Sequence, residues 1–373
     1  MGRNARARVD NREANIPAAG RETNGSPLVA RIISYHLNNK VDAHALAYLV
    51  SSPGLSRLRW ARKYLPSAIE QLTGIELNNF TFGSATYHMP ISDWLQWEEC
   101  TVPEGVLGIL ADAAHTGAVL STAEPATGFL TAELSVQFCG VIHTSAAKLE
   151  ARGTVLSADS GHVLSRVDIS DSLGNLIGVS TARSSFLPLP DSLPEPPDHS
   201  MLDGLNDVES VLQPFQLQAE GQALPMPVTA GHSGQEFLQS AVNGQRQEPP
   251  LQSFIGIGPV AVGEGTCVFG INANPWLCSH SGSVQGGMVG LVMERAAWGA
   301  VLTGLATGES CRTLDMKVNY FHQMVQGSGT LRAIGEVIHK SRRIAVASVR
   351  VVGEDDRPLA YGTATVGVTR VRA

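Results

Sequence analysis

Displacing the chain by 182 residues brings two long segments of it into register without a gap. Gly74-Ile75 falls on Gly256-Ile257, Gly83 on Gly265, Thr131 on Thr313, Gly153 on Gly335 and Thr181-Ala182 on Thr363-Ala364. The stretch VPEGVLGILADAAHTGAV from Val102 to Val119 falls on VQGGMVGLVMERAAWGAV from Val284 to Val301. The register runs from about 72–186 against 254–368. Chance matching of apolar residues does not keep the glycines and one acidic position, Asp112 against Glu294, aligned over such a span. A chain of 373 residues has room for two or three domains. The repeat makes this one a duplication, so one fold must satisfy both copies.

Each copy holds one helix and several strands. Residues 105–121 are apolar on nearly every side, broken only by Asp112, His115 and Thr116. Such a helix is a buried one. Its counterpart is 287–303. Strand-like runs follow at 131–138, 146–157, 162–170 and 176–186, and again at 313–321, 328–338, 343–352 and 358–369, separated by turn signals such as Gly174-Asn175. One strand precedes each helix, at about 79–89 and 261–271. The order predicts an α+β fold in which an antiparallel sheet wraps one long helix, twice.

The segments outside the repeat read differently. Residues 1–26 lack periodicity and are expected to form a disordered arm, with a basic contact arm as the rival reading. Residues 27–71 read as a helical extension around Pro53 and Pro66. Ten of the twenty prolines fall in 187–252, and 188–231 is expected to be a mobile Pro-rich linker. Gln235–Val242 reads as a short amphipathic helix. The first sheet-and-helix domain is then 72–187 and the second 232–373.

Charge and composition exclude several classes. There are 27 Lys+Arg against 34 Asp+Glu, net −7. Residues 1–80 hold 11 basic and 6 acidic residues, so the remainder is acidic. A nucleic-acid binder is usually basic, and none is expected here. No run of 18 apolar residues exists to span a membrane. The five cysteines form no C-x-x-C pair, and no apolar core follows the N-terminal arginines. Free thiols and a cytoplasmic location are the expectation. No metal-ligand spacing, phosphate loop or Gly-x-Ser-x-Gly elbow appears.

The copies resemble the hotdog-fold domains of the PaaI-like acyl-CoA thioesterases. The resemblance is carried by a glycine-rich entry to the long helix, an acidic residue two turns in, and the strand pattern afterwards. It is closer in the second copy. There Gly-Ser-Val-Gln-Gly-Gly at 282–287 stands where the family has a His-Gly-Gly turn. Leu314-Asp-Met-Lys-Val-Asn-Tyr320 is similar to the next strand, and His339-Lys-Ser-Arg-Arg343 to the turn that the family uses near coenzyme A. The family's histidine is Gln285 in the second copy and Pro103 in the first, and Glu104 replaces the first glycine. The resemblance implies two hotdog domains in one chain and an acyl thioester substrate. No separate cofactor is expected, coenzyme A entering as part of that substrate, with Lys340, Arg342 and Arg343 on its phosphates. A homo-oligomer of such paired units is the expected assembly.

The chemistry explains why the copies should pair. Thioester hydrolysis needs an oxyanion site and a carboxylate that attacks or activates water. A helix N-terminus offers unpaired N–H groups and partial positive charge, and glycine lets a substrate approach them closely. Eight residues separate Gly286 from Glu294, about 12 Å of helix, too far for one carbonyl to meet both. Two antiparallel helices solve this, each lending its N-terminus to the other's carboxylate. Site one would combine Gly286 and Gly287 with Asp112, with Thr116 one turn beyond. Site two would combine Glu104 and Gly105 with Glu294, with Trp298 in place of the threonine. Glu104 sets negative charge where negative charge must develop, so site one is expected to work and site two to be degenerate. Blander readings compete. Asp112 beside His115 and Glu294 beside Arg295 are each explicable as buried pairs, Glu104 as a first-turn charge on the helix dipole, and His115 as a satisfied core histidine. His280 is either a water-orienting group or a loop residue, and Lys340, Arg342 and Arg343 are either phosphate ligands or a solvated cluster. At the level of function, a hotdog dehydratase or hydratase and a non-catalytic acyl-CoA-binding module remain alternatives.

Overall fold

The computed structural model describes residues 52–64, 66–188, 214–225, 229–280, 282–325, 327 and 329–370. The arm at 1–26, the start of the helical extension and residues 189–213 of the linker lie outside them. In chain order the first half holds α1 (Gly54–Tyr64), α2 (Ala68–Thr73), β1 (Glu76–Thr81), β2 (Ser84–Pro90), β3 (Thr101–Val102), α3 (Val106–Leu120), β4 (Thr127–Phe138), β5 (Ile142–His143), β6 (Lys148–Asp159), β7 (His162–Asp171) and β8 (Leu176–Pro188). The second half holds α4 (Gly234–Val242), α5 (Pro250–Ile255), β9 (Gly258–Gly263), β10 (Thr266–Asn272), α6 (Gly286–Thr303), β11 (Glu309–Tyr320), β12 (Thr330–Lys340), β13 (Ile344–Val352) and β14 (Pro358–Arg370).

Twelve strands make one antiparallel sheet in the order β1-β2-β6-β7-β8-β4-β11-β14-β13-β12-β10-β9. The order reads the same from either edge once the repeat is applied. The halves join where β4 pairs with β11, Leu134 opposite Val318 and Gln137 opposite Asp315. Each half wraps its own long helix. Residues 287–303 of α6 are all buried, which the all-round apolar character of that stretch requires.

α3 and α6 run antiparallel and touch backbone to backbone. A Cβ on Gly287 would lie 2.2 Å from the Gly108 carbonyl oxygen, and one on Gly105 would lie 3.0 Å from Leu291 Cα. The aligned glycines of the two copies therefore permit the helix contact itself.

Three sequence expectations need correction. The strand expected before each helix is a hairpin, β1–β2 and β9–β10, because Gly83 (φ 74°) and Gly265 (φ 67°) turn the chain in the left-handed region. The repeat also reaches further back than residue 72. α2 and α5 are both six-residue helices ending on a left-handed glycine, Gly74 and Gly256. α1 and α4 begin alike: the Gly54 N–H donates to the Ala123 carbonyl and the Gly234 N–H to the Leu305 carbonyl, just past α3 and α6. So α1 and α2, read as part of an extension, are the first copy's counterparts of α4 and α5. Third, residues 214–225 of the expected mobile linker are packed down. The Trp94 indole donates to the Leu217 carbonyl at 3.0 Å. The Leu224 N–H donates to the Trp97 carbonyl, and the Glu99 N–H donates to that of Leu224. Apolar Leu224 and Phe215 give this stretch a reason to pack that proline content alone does not reveal.

Candidate active site

The turn ahead of α6 leaves its first N–H groups without helical partners. Asp112 reaches them from the middle of α3. Asp112 is 6% exposed, and the backbone N–H groups of Gly287 and Gly286 lie near enough to its carboxylate to favour the charged form. Burial pushes its pKa up to about 6, and those two N–H groups hold it from rising further. The Tyr320 hydroxyl, at the end of β11, donates to the Gly286 carbonyl at 2.7 Å. Burial and the Asp112 charge push that hydroxyl well above its usual pKa, so it remains a donor. Gln285 is also buried. Its Nε2 donates to the Ile109 carbonyl at 3.0 Å, while its Oε1 has no partner among the described residues. Asp112, Thr116, Gln285, Gly286 and His280 share the wall of a cavity of about 700 Å³, within the range of small-molecule sites. α1 and α2 form its opposite wall through residues such as Leu58, Ile69 and Glu70. Gly287 does not line it; its part is the helix contact and the N–H toward Asp112.

The pseudo-equivalent position is filled. Glu294 is fully buried and held by the Arg295 guanidinium through two hydrogen bonds of 2.7 Å. It also accepts from the Thr313 hydroxyl. Arg295 lies 4.7 Å from the Trp298 ring centre and 5.6 Å from that of Trp97. Glu104 pairs with Arg312 at 3.0 Å and stands 3.9 Å from Arg295. Burial first, and then the Glu294 charge, push Glu104 upward, with Arg295 opposing. The 182-residue offset makes the contrast explicit. Where site one has Ala113, Thr116, Ser279 and His280, site two has Arg295, Trp298, Trp97 and Glu98. Only about 50 Å³ remains open beside Trp97 and Trp298. Glu294 lines neither cavity, and Glu104 is more than a charge on the helix dipole, being an ion-pair member.

His115 stands apart from Asp112. Its Nδ1 is 2.7 Å from the Ser165 hydroxyl and its Nε2 2.9 Å from that of Ser180. Ser180 donates onward to the Ser135 carbonyl, so His115 donates from Nε2 and accepts at Nδ1. Burial pushes its pKa down to about 3, and it is neutral. The two ring nitrogens of His115 are thus taken by serines and not by Asp112. Lys340 donates to the Gly304 carbonyl at the C-terminal end of α6. Gly304 is 18 residues from Gly286, about 27 Å along the helix. Lys340, Arg342 and Arg343 are thus not brought to the cavity, whose cationic neighbours are Arg57 and Arg62. Arg57 is committed to the carbonyls of Ser52, Thr127 and Glu124. Among the described residues no group of His, Cys, Asp and Glu is arranged to hold a metal ion. Tyr320 is the site residue that sequence reasoning missed. The repeat carried a signal for it, since the aligned position in the first copy is Phe138, without a hydroxyl.

The glycine entry of α6 and the strands β11, β12 and β13 lie in a stretch, residues 281–360, that matches the family model of the thioesterase superfamily. The fold of the whole follows from a solved structure, a conserved protein of unknown function with hot dog fold from Alicyclobacillus acidocaldarius. It superposes on 82% of this chain and 99% of its own, with a TM-score of 0.51 and 10% identity. The chain has the hotdog fold. The tesB protein of Mycobacterium avium subs paratuberculosis covers 81% of this chain and 98% of its own at 11% identity, TM-score 0.48. A thioesterase from Haemophilus influenzae covers 33% of this chain and 84% of its own at 21% identity, TM-score 0.31. No curated protein matches the chain. The matched segment holds the helix N-terminus of site one, while the carboxylate comes from the other copy.

Proposed function

We propose that the chain hydrolyses acyl thioesters, of coenzyme A or of an acyl carrier, at site one alone. The observation that carries this reading is the asymmetry of the pseudo-equivalent sites. A carboxylate at a helix N-terminus opens on a large cavity in one, and the same position in the other is closed by Arg295, Trp97 and Trp298. The acyl group enters the cavity with its carbonyl oxygen toward the α6 N-terminus, where the Gly286 N–H and the helix dipole meet the developing negative charge. Asp112 takes a proton from water as the water oxygen bonds to the carbonyl carbon. The C–S bond then breaks, and the leaving sulfur takes the proton from Asp112. Direct attack by the carboxylate, followed by hydrolysis of the anhydride, gives the same products. A carboxylate titrating near 6 is basic enough to accept the proton and is ionised at neutral pH. Homo-oligomerisation and a cytoplasmic location belong to the same proposal.

Product analysis on a panel of acyl-CoA esters tests the reading. Free acid and free thiol in equal amounts are expected. A hydrated or dehydrated acyl thioester would make the protein a hydratase, and binding without turnover would make it a binding module.

A further inference from the structure

The cavity of site one follows a single face of α3. Asp112, Thr116 and Leu120 stand four residues apart and all line it, each step rising about 6 Å. Apolar side chains such as Leu58, Ile69, Leu77 and Leu120 share that cavity with polar ones. Tyr87 is one of the polar ones. Tyr87, on β2, is 4% exposed and lies against Gly117, where a Cβ would come 2.9 Å from the Tyr87 hydroxyl. Tyr87 lines the cavity, and its hydroxyl makes none of the side-chain hydrogen bonds that tie down Tyr320 in the same cavity. A buried tyrosine hydroxyl ordinarily finds a partner. Glu70, on α2, lines the same cavity. One of its carboxylate oxygens, Oε2, accepts from the Ser67 N–H and hydroxyl at 2.6 and 2.9 Å, and Oε1 is left over. Glu70 is near enough for its charge to act on the Tyr87 hydroxyl.

The other copy separates packing from recognition. The residue aligned with Tyr87 is Phe269, fully buried against Gly299, the counterpart of Gly117. An aromatic ring is thus what the helix–sheet packing needs in both copies. The hydroxyl is present only in the copy that has a cavity. Likewise Glu70 aligns with Gln252.

We infer that site one selects acyl groups bearing a hydroxyl part-way along the chain, held between Tyr87 and Glu70, with Tyr87 lying against Gly117, about 7–8 Å further along α3 than Asp112. The substrate hydroxyl accepts from Tyr87 and donates to the free oxygen of Glu70, so both groups are satisfied at once. The inference rests on the hydrolytic reading of site one and adds its substrate class.

The test is a series of saturated acyl-CoA esters of one length with a hydroxyl walked along the chain, against the unsubstituted ester. The kcat/KM of the full chain is expected to peak at one hydroxyl position, of the order of tenfold above the unsubstituted ester, because a site built to hydrogen-bond a group discriminates against its absence. Tyr87→Phe, whose fold the Phe269 environment shows to be tolerable, is expected to bring that ratio to about one. No preferred position, or a preference that survives Tyr87→Phe, overturns the inference and leaves hydrolysis standing. If the wild-type protein hydrolyses nothing in the series, the same ratio is read from calorimetric binding of the same esters. A hydroxyl preference in binding lost in Tyr87→Phe then supports the inference while hydrolysis fails, and equal binding overturns both.

Discussion

One helix position has been given two incompatible environments. At 112 the carboxylate has two backbone N–H groups and an open cavity; at 294 it has an arginine, a threonine and no opening. The energetics follow in opposite directions. The carboxyl of Asp112 is raised from 3.8 to about 6, so the folded state binds its proton more tightly than the unfolded state. Stability conferred by that proton is full below about pH 4 and is lost as pH rises through 6. Asp112→Asn removes the buried charge and is expected to be more stable than the wild type at pH 7, by on the order of 2 kcal/mol. Thermal melts at pH 7 and pH 4 check this: the gain should be present at the first and gone at the second, and a variant that melts lower at both would count against it. Glu294→Gln does the reverse. It takes from a fully buried guanidinium its closest counter-charge and is expected to cost about 3 kcal/mol, read as a drop in the denaturation midpoint. The proposed reaction uses the ionised Asp112, so kcat/KM is expected to rise with pH through about 6 and then level off. A profile falling over that range would exclude Asp112 as the base.

At the scale of elements, the crossing of α3 and α6 is what makes a site from residues 170 or more apart in the chain. Gly287→Ala sets a methyl against the Gly108 backbone, which cannot turn aside. The helices must separate, at a cost of roughly 2 kcal/mol, and the α6 N-terminus moves off Asp112. Activity is expected to fall more steeply than the melting temperature does; an unaffected kcat would mean that the crossing does not set the site. This geometry was largely legible in the letters. All-round apolarity marks both long helices, and the fixed spacing of glycine and acid on each makes the antiparallel crossing the economical solution. Other parts were illegible for physical reasons. Residues 91–105 have almost no regular structure and so no periodicity, which hid that Trp97 and Glu98 arrive beside Arg295. The turn at Gly83 hid inside a run of strand-forming residues. α1 and α2 are short, and their sequences have diverged from α4 and α5, so the shared start at Gly54 and Gly234 and the shared end at Gly74 and Gly256 reveal the kinship. The basic cluster at 340–343 could not be placed from its letters, because charge says nothing of which end of a helix it meets, and Lys340 meets the C-terminal end of α6.

For the molecule as a whole, the continuous sheet across β4 and β11 and the helix contact beneath it tie the copies together independently of the linker. Cleaving the chain at a protease site inserted between 190 and 213 is expected to leave both halves eluting as one species from a sizing column, with hydrolysis retained. Separation into two species would show that the covalent link, not the shared sheet, holds the pair. Duplication within one chain frees each site to diverge, because a substitution no longer appears twice. Here one copy's site has become a packed ionic core and the other opens on a cavity of about 700 Å³. The central claim is that this one cavity, with Asp112, does the chemistry. Steady-state release of thiol from acyl-CoA by Asp112→Asn, on protein shown by thermal melting to be folded, tests it most directly. The account predicts a fall in kcat of about a hundredfold or more with the melting temperature held or raised. Turnover near the wild-type rate in a folded Asp112→Asn protein would contradict it.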